Sequence, residues 1–224
     1  MRRWMRRSNG HDWIAEQLER RGIKDPDVLR AMRTVPRELF VPVDVRHMAY
    51  MDGALPIGRG QTISQPYIVA RMTESLGLTE WRGAHTDERP NVLDVGTGSG
   101  YQAAVLAEVG AKVVSIELEP ELAERARELL ASLDYDVDVR VGDGSNGAPD
   151  AAPFAGILVA AAAPQVPVPL VEQLLPNGRL VLPIGTRWEQ VITLVRRTED
   201  GFTQEPVEPA IFVPLLGEHG FGGR

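Results

Sequence analysis

The chain reads as an α/β protein, a doubly wound and mostly parallel sheet with helices on both faces. Three observations predict this. From Asn91 onward short apolar segments alternate with amphipathic ones, the order that builds parallel sheets. The segment from Phe154 to Ala160 is almost wholly apolar, as a strand buried on both faces must be. The first strand of the series runs straight into the glycine turn Gly96-Thr97-Gly98-Ser99-Gly100, and such sheets bind ligands at the carboxyl ends of their strands.

Taken in order, residues 11–34 read as helical. Trp13, Ile14 and Leu18 sit at helical spacing, and Asp25-Pro26 opens a second short helix carrying Val28, Leu29 and Met32. Pro36 and Pro42 break the helical pattern beyond it. Residues 44–63 read as a mixed loop, long enough to suggest a functional role. A helix is expected from Gln65 to Leu76, with Pro66 in its first turn and Gly77 ending it. Residues 79–91 read as a polar surface loop.

In the α/β half, Val92–Val95 is the first strand and Tyr101–Val109 a helix closed by Gly110. Lys112–Glu117 follows as a strand, then an amphipathic helix over Glu121–Leu133 and a third strand at Val137–Val141. After the Phe154 strand come a helix at Val168–Leu175, a turn at Pro176-Asn177-Gly178 and a strand at Arg179–Ile184. Glu189–Arg197 alternates, as an edge or antiparallel strand would, and residues 209–215 are a candidate last strand.

Bulk properties exclude several classes. The 224 residues hold no cysteine, which rules out disulfides, thiolate metal sites and cysteine nucleophiles and fits a cytoplasmic home. The net charge of -7 and the absence of a Lys/Arg cluster beyond the start disfavour nucleic acid as a partner. No apolar run approaches the roughly 20 residues that span a bilayer. The four histidines are scattered, so no metal site is expected. Met1 to Arg7 is basic with no apolar stretch after it, and reads as a frayed tail rather than a signal peptide. No oligomerisation motif is visible, and a monomer is expected.

The glycine turn alone is a weak signal. It gains weight from its surroundings. Asp94 sits on the strand just before it, where a carboxylate could reach a cationic ligand. Glu117 ends the next strand and could accept hydrogen bonds from both hydroxyls of a ribose, while repelling a 2′-phosphate. Gly142-Asp143-Gly144 follows the third strand, and its carboxylate could accept from an adenine amino group.

Together these segments resemble the first motif, the acidic strand end and the adenine-contacting loop of the class I S-adenosyl-L-methionine-dependent methyltransferases, with their Rossmann-like fold. The resemblance narrows at Ala54-Leu55-Pro56-Ile57-Gly58-Arg59-Gly60-Gln61-Thr62-Ile63-Ser64-Gln65-Pro66-Tyr67, which is similar to the signature of the protein-L-isoaspartate O-methyltransferase family. Ala161-Ala162-Ala163-Pro164, Leu174-Leu175-Pro176-Asn177-Gly178-Arg179-Leu180 and Phe212-Val213-Pro214-Leu215 fit the same pattern, which covers roughly residues 12–217. One departure is visible: Ala155 stands where the family usually has aspartate.

The resemblance implies a single methyltransferase domain over 1–224. Residues 1–90 would be its N-terminal helical, substrate-side segment and 91–217 its cofactor-binding core. It implies S-adenosyl-L-methionine as cofactor and repair of isoaspartyl-containing proteins and peptides. The step would be methylation of the isoaspartyl carboxylate, with D-aspartyl as a further candidate, to initiate return through a succinimide. A carboxylate is ionised at neutral pH, so it can attack the sulfonium methyl directly and catalysis becomes a matter of alignment. A hydroxyl donor to its other oxygen would fix that geometry. Ser64 is the candidate and Thr62 the second choice, with Ser64 alternatively a simple helix cap. Asp94, Gly96, Thr97, Gly98, Gly100, Glu117, Leu118, Asp143 and Gly144 are expected around the cofactor, joined by Thr62, Ile63 and Gln65. The loop at 52–63, with Gly53, Gly58 and Gly60 as hinges, is expected to fold over the cofactor as a lid. Two other readings fit the same residues: a carboxyl methyltransferase dedicated to Asp of one peptide, and a non-catalytic cofactor-binding module.

Overall fold

A computed structural model describes residues 12–85 and 88–222; the basic start read as a frayed tail lies outside them. The first helical region forms as expected. Helix α1 (Trp13–Gln17) leads through a short 3-10 turn into α2 (Pro26–Thr34), and Asp25 caps α2 by accepting from the N–H groups of Asp27 and Val28. Ile14, Leu18, Val28, Ala31 and Met32 are buried.

Residues 44–63 are not a loop. A 3-10 stretch, Val43–Met48, leads to an antiparallel hairpin of β1 (Leu55–Gly58) and β2 (Gln61–Ile63). Leu55 and Ile57 point inward while Pro56 and Gly58 face out. The turn Gly58-Arg59-Gly60 runs entirely at positive φ, with values of 95°, 54° and 70°. Helix α3 (Pro66–Ser75) follows, and Gly77 ends it in the left-handed region at φ 64°.

The first part of the polar stretch after it is likewise not a loop but helix α4 (Leu78–Ala84). Tertiary contacts hold this short helix. Leu78 is buried, and the Arg179 guanidinium crosses Gly77 so closely that a Cβ there would sit 1.9 Å from Nη1. Arg179 then donates to Glu80 at 2.5 Å.

The main sheet consists of β3 (Asn91–Val95), β4 (Lys112–Glu117), β5 (Val137–Val141), β6 (Phe154–Val159), β7 (Leu174–Gly185), β8 (Gln190–Thr198) and β9 (Gly201–Pro209). Helix α5 (Tyr101–Val109) joins β3 to β4, α6 (Pro120–Ser132) joins β4 to β5, and α7 (Val168–Glu172) precedes β7. The strand order is β5-β4-β3-β6-β7-β8-β9, parallel from β5 to β7 and antiparallel thereafter. The order reverses between β3 and β6, which places the switch point beside the glycine turn.

Three details differ from the sequence reading. Helix α7 stops at Glu172, and Leu174 already pairs with Phe154, so Pro176-Asn177-Gly178 is a bulge within β7 rather than a turn before it. Strand β8 is antiparallel but not an edge. The edge is β9 at 201–209, not 209–215; its mostly exposed, polar residues carry no strand signal. The stretch from 210 to 215 instead returns across the ends of the parallel strands, bridging Pro214 to Ala162.

Both faces of the sheet are covered. Val92 and Leu158 pack with α2, α3 and α5 in one cluster, while Leu93, Phe154, Ile157 and Val159 pack with α7 in the other. Phe154 is wholly buried. Phe154→Ala is expected to lower the unfolding free energy by about 3–5 kcal/mol in urea titrations; a loss below about 1 kcal/mol would mean the second cluster closes over the gap.

Candidate active site

The glycine turn is built from the sheet outward. It leaves β3 at Val95, and Gly96, Gly98 and Gly100 all lie at positive φ, where a side chain would be strained. Hydrogen bonds lash it to the end of β4. Gly96 N–H donates to the Ile116 carbonyl at 2.8 Å and Gly98 N–H to Glu117 Oε2 at 2.8 Å. Glu117 Oε1 accepts from Glu119 N–H at 3.0 Å, so this carboxylate is held at both oxygens.

Beneath the turn lies Asp94, wholly buried. Its Oδ2 accepts from Ser115 Oγ at 2.7 Å, and Ser115 Oγ lies 2.6 Å from Thr97 Oγ1. With Ser115 donating to Asp94, Thr97 is left to donate to Ser115. Oδ1 of Asp94 is buried without a hydrogen-bond partner among the described residues. Burial pushes the Asp94 carboxyl up to about 7; the Ser115 bond opposes the rise and the Glu117 charge adds to it.

A cleft of about 960 Å³, including its open mouth, lies over these groups. Of the predicted residues, Thr62, Ile63, Ser64, Gly96, Thr97, Gly98, Glu117, Leu118 and Gly144 line it together. The hairpin stands against the turn: a Cβ on Gly98 would lie 3.3 Å from Ile57 Cδ1, and Arg59 at the hairpin tip forms an ion pair with Glu121 at the start of α6.

Four predicted residues are not on the wall. Asp94 lies one layer below the turn, and Gly100 packs toward Leu130 and Ala126 of α6. Gln65 turns away to donate to Asp52 Oδ1 at 2.6 Å. Asp143, expected to face an adenine, is spent inside the chain. Its Oδ1 accepts from Ser145 N–H and Oγ, and its Oδ2 from Glu218 N–H at 2.8 Å, which clips the C-terminal segment to the loop after β5. Burial opposes ionisation of Asp143, but these bonds outweigh it and hold the carboxyl below the usual carboxylate range.

Ser64 is half-buried on the cleft wall. It is not the helix cap: Gln65 occupies that position, without a side-chain capping bond. The Ser64 hydroxyl has no hydrogen-bond partner among the described residues, while its carbonyl accepts from Arg37 Nη2 at 2.7 Å. Ala155, at the position where the resemblance expects aspartate, is buried in an all-buried β6.

The sequence reading missed Tyr101, Gln102 and Ala160, and gave no site role to Val213–Leu216, which also line the cleft. The last segment reaches it through long-range pairing, with Ala162 N–H donating to the Val213 carbonyl and Leu215 N–H to the Ala162 carbonyl. Its signals in the sequence were the apolar run around Pro214 and the fit of Phe212-Val213-Pro214-Leu215 to the family pattern.

A family model described as "Protein-L-isoaspartate(D-aspartate) O-methyltransferase (PCMT)" matches residues 9–220. A protein-L-isoaspartate O-methyltransferase of Methanoculleus marisnigri is 48% identical over 97% of this chain and 96% of its own. That of Roseiflexus castenholzii is 53% identical over 92% and 91%. Among solved structures, a protein-L-isoaspartate O-methyltransferase superposes with a TM-score of 0.78 at 27% identity, covering 92% of this chain and 65% of that one. A putative protein-L-isoaspartate O-methyltransferase from Plasmodium falciparum, solved with S-adenosyl-L-homocysteine, gives 0.74 at 25% identity, covering 93% and 99%. Family match, near-complete coverage and a cleft at the switch point agree, and the chain belongs to the protein-L-isoaspartate(D-aspartate) O-methyltransferase family.

Proposed function

We propose that this chain initiates repair of damaged proteins by methylating the free carboxylate of L-isoaspartyl residues, with S-adenosyl-L-methionine as donor and Ser64 as the residue that orients the acceptor. The observation that carries the assignment of Ser64 is its unpartnered hydroxyl, among the described residues, on the wall of the cleft that also holds the glycine turn.

The cleft fits the cofactor's chemistry. Glycine backbone forms its floor, and a Cβ on Gly144 would sit 2.4 Å from Val95 Cγ1, so the wall there is bare main chain. Glu117 on the cleft wall suits a plain ribose and would repel a phosphate, and the Asp94 carboxyl one layer below suits a cation, whose charge would favour its ionised form. When bound, S-adenosyl-L-methionine supplies an activated methyl on a positively charged sulfur. Glu117 would hold the ribose, its carboxylate pre-aimed by Gly98 and Glu119, and Leu118 would offer apolar contact beside it. Thr62 and Ile63 close the cleft from the hairpin side.

On the acceptor side no general base is needed, because a carboxylate with a reference pKa of about 4 is already ionised at neutral pH. A neutral hydroxyl donor orients it without quenching its nucleophilicity, which a direct charged clamp would do. What Ser64 contributes is alignment. On this reading residues 1–90 would supply the substrate side and 91–217 the cofactor-binding core of one domain. We place this activity in the cytoplasm, in a monomer acting on isoaspartyl proteins and peptides and not on nucleic acid or membranes. The acidic net charge of -7 speaks against a nucleic-acid partner.

Transfer of labelled methyl to two peptides differing only in isoaspartate or aspartate tests the function. Label is expected on the isoaspartyl peptide alone, released as methanol in mild base; label on the aspartyl peptide alone would refute the assignment. Ser64→Ala is expected to lower kcat/KM for the isoaspartyl peptide by roughly 10- to 100-fold, the worth of a hydrogen bond to a charged group, with S-adenosyl-L-homocysteine affinity unchanged. Unaltered kcat/KM would remove Ser64 from the reaction.

Asp94 gives a prediction of a different kind. Its folded pKa of about 7 lies above the ordinary 3.8, so between these values the native state holds a proton the unfolded chain has lost. Stability therefore falls as pH rises through this window and levels off above it. In Asp94→Asn that contribution is absent. Urea unfolding of both proteins between those pH values should show the variant gaining stability relative to the parent as pH rises; a pH-independent difference would show that Asp94 ionises normally.

A further inference from the structure

In the sequence, Pro36-Arg37-Glu38 signals no more than a break between helices, yet Arg37 is among the most deeply buried residues of the molecule, at 0% exposure. No carboxylate pairs with it among the described residues; the adjacent Glu38 is engaged by the Tyr50 hydroxyl. Its partners are main-chain carbonyls. Nε donates to Ala49 and Nη2 to Ser64, both at 2.7 Å, and Nη1 is buried without a partner among the described residues. The guanidinium also lies 4.9 Å from the ring centroid of Tyr101, the residue that opens α5 directly after the glycine turn and lines the cleft. Burial drives the Arg37 pKa downward, with Tyr101 and Tyr50 opposing, but an arginine stays protonated.

A buried cation without a counter-ion is costly, and packed apolar residues would hold the same segments more cheaply. Its placement speaks for another use. One planar fork ties the start of the hairpin segment at Ala49 to its end at Ser64, so the backbone that carries the Ser64 hydroxyl cannot drift relative to the glycine turn. The same fork leaves one unit of positive charge behind the wall at which an anionic acceptor would arrive.

We propose that Arg37 is the positioning residue for the methyl acceptor, fixing Ser64 through its carbonyl and biasing the acceptor side of the cleft toward a carboxylate. This rests on the reading of Ser64 given above. It explains how a neutral hydroxyl can serve as the contacting donor: the charge is set one layer back, where it attracts the carboxylate without bonding to it.

The test uses the full-length chain with Arg37→Lys, Arg37→Met, Ser64→Ala and the Arg37→Met/Ser64→Ala double variant. Each is measured for S-adenosyl-L-homocysteine affinity by calorimetry, for kcat and KM with an isoaspartyl peptide, and for thermal midpoint. Arg37→Met is expected to lower kcat/KM roughly 10- to 100-fold through both kcat and KM, with S-adenosyl-L-homocysteine affinity within about threefold of the parent. Arg37→Lys keeps the charge but not the two-carbonyl fork, and should recover KM more than kcat. The double variant should lose far less than the product of the single losses, because the two residues act as a unit.

Should Arg37→Met not fold, Arg37→Lys decides, with a fall in kcat at parental S-adenosyl-L-homocysteine affinity expected. Losses of thermal midpoint with unaltered kcat and KM, or losses that multiply with those of Ser64→Ala, would overturn the proposal while leaving Ser64 in its role. A Ser64→Ala enzyme of parental activity would overturn the underlying reading instead.

Discussion

The hydrogen-bonded chain from Thr97 through Ser115 to Asp94 is the constraint on which the cofactor side of this molecule rests. A glycine turn has no side chains to hold its shape, and three of its residues occupy conformations open chiefly to glycine. What holds it is the neighbouring strand. Ile116 and Glu117 take its N–H groups from the side, and Ser115 takes the Thr97 hydroxyl from below. The arrangement also leaves a carboxyl with one orphaned oxygen at the base of the cleft. In a binding site for a cation, that unpaired acid is tolerable because ligand charge offsets its burial.

The acceptor side is anchored differently. No strand of the main sheet reaches Ser64, which follows the separate two-stranded hairpin of β1 and β2. Arg37 substitutes for a sheet by satisfying carbonyls at both ends of that segment. Its contact with Tyr101 joins the two anchors, since Tyr101 begins the helix that the glycine turn feeds. The third wall, Val213–Leu216, is held by Ala162 and by the Asp143 clip on Glu218. The glycine turn and the third wall are thus fixed to the ends of the parallel strands, the acceptor wall is joined to them through Arg37 and Tyr101, and the cleft sits among the three.

How legible this was in the sequence depends on the range of the forces involved. Val92–Val95, Tyr101–Val109 and Lys112–Glu117 were readable because near-complete burial makes each a mostly apolar run bounded by turn residues or charge, and Val137–Val141 because its residues alternate. The hairpin at 55–63 was hidden by its short strands and by Pro56, α4 by its dependence on Arg179, and β9 by its polar face. In the site, residue type was informative where one role was available: Glu117, the glycines at 96 and 98, and Ser64 all reach the cleft. It misled where several partners compete. Asp143 and Gln65 have suitable chemistry for a ligand, but Ser145, Glu218 and Asp52 claim it first. Arg37 escaped notice because its partners are carbonyls 12 and 27 residues away.

The central claim, that Ser64 orients an isoaspartyl carboxylate beside a ribose held by Glu117, is tested most directly by a crystal structure of the ternary complex with S-adenosyl-L-homocysteine and an isoaspartyl hexapeptide. The account predicts both ribose hydroxyls on the Glu117 carboxylate and one peptide carboxylate oxygen within hydrogen-bond reach of Ser64 Oγ. A peptide carboxylate held elsewhere, with Ser64 Oγ turned to a partner within the chain, would contradict it.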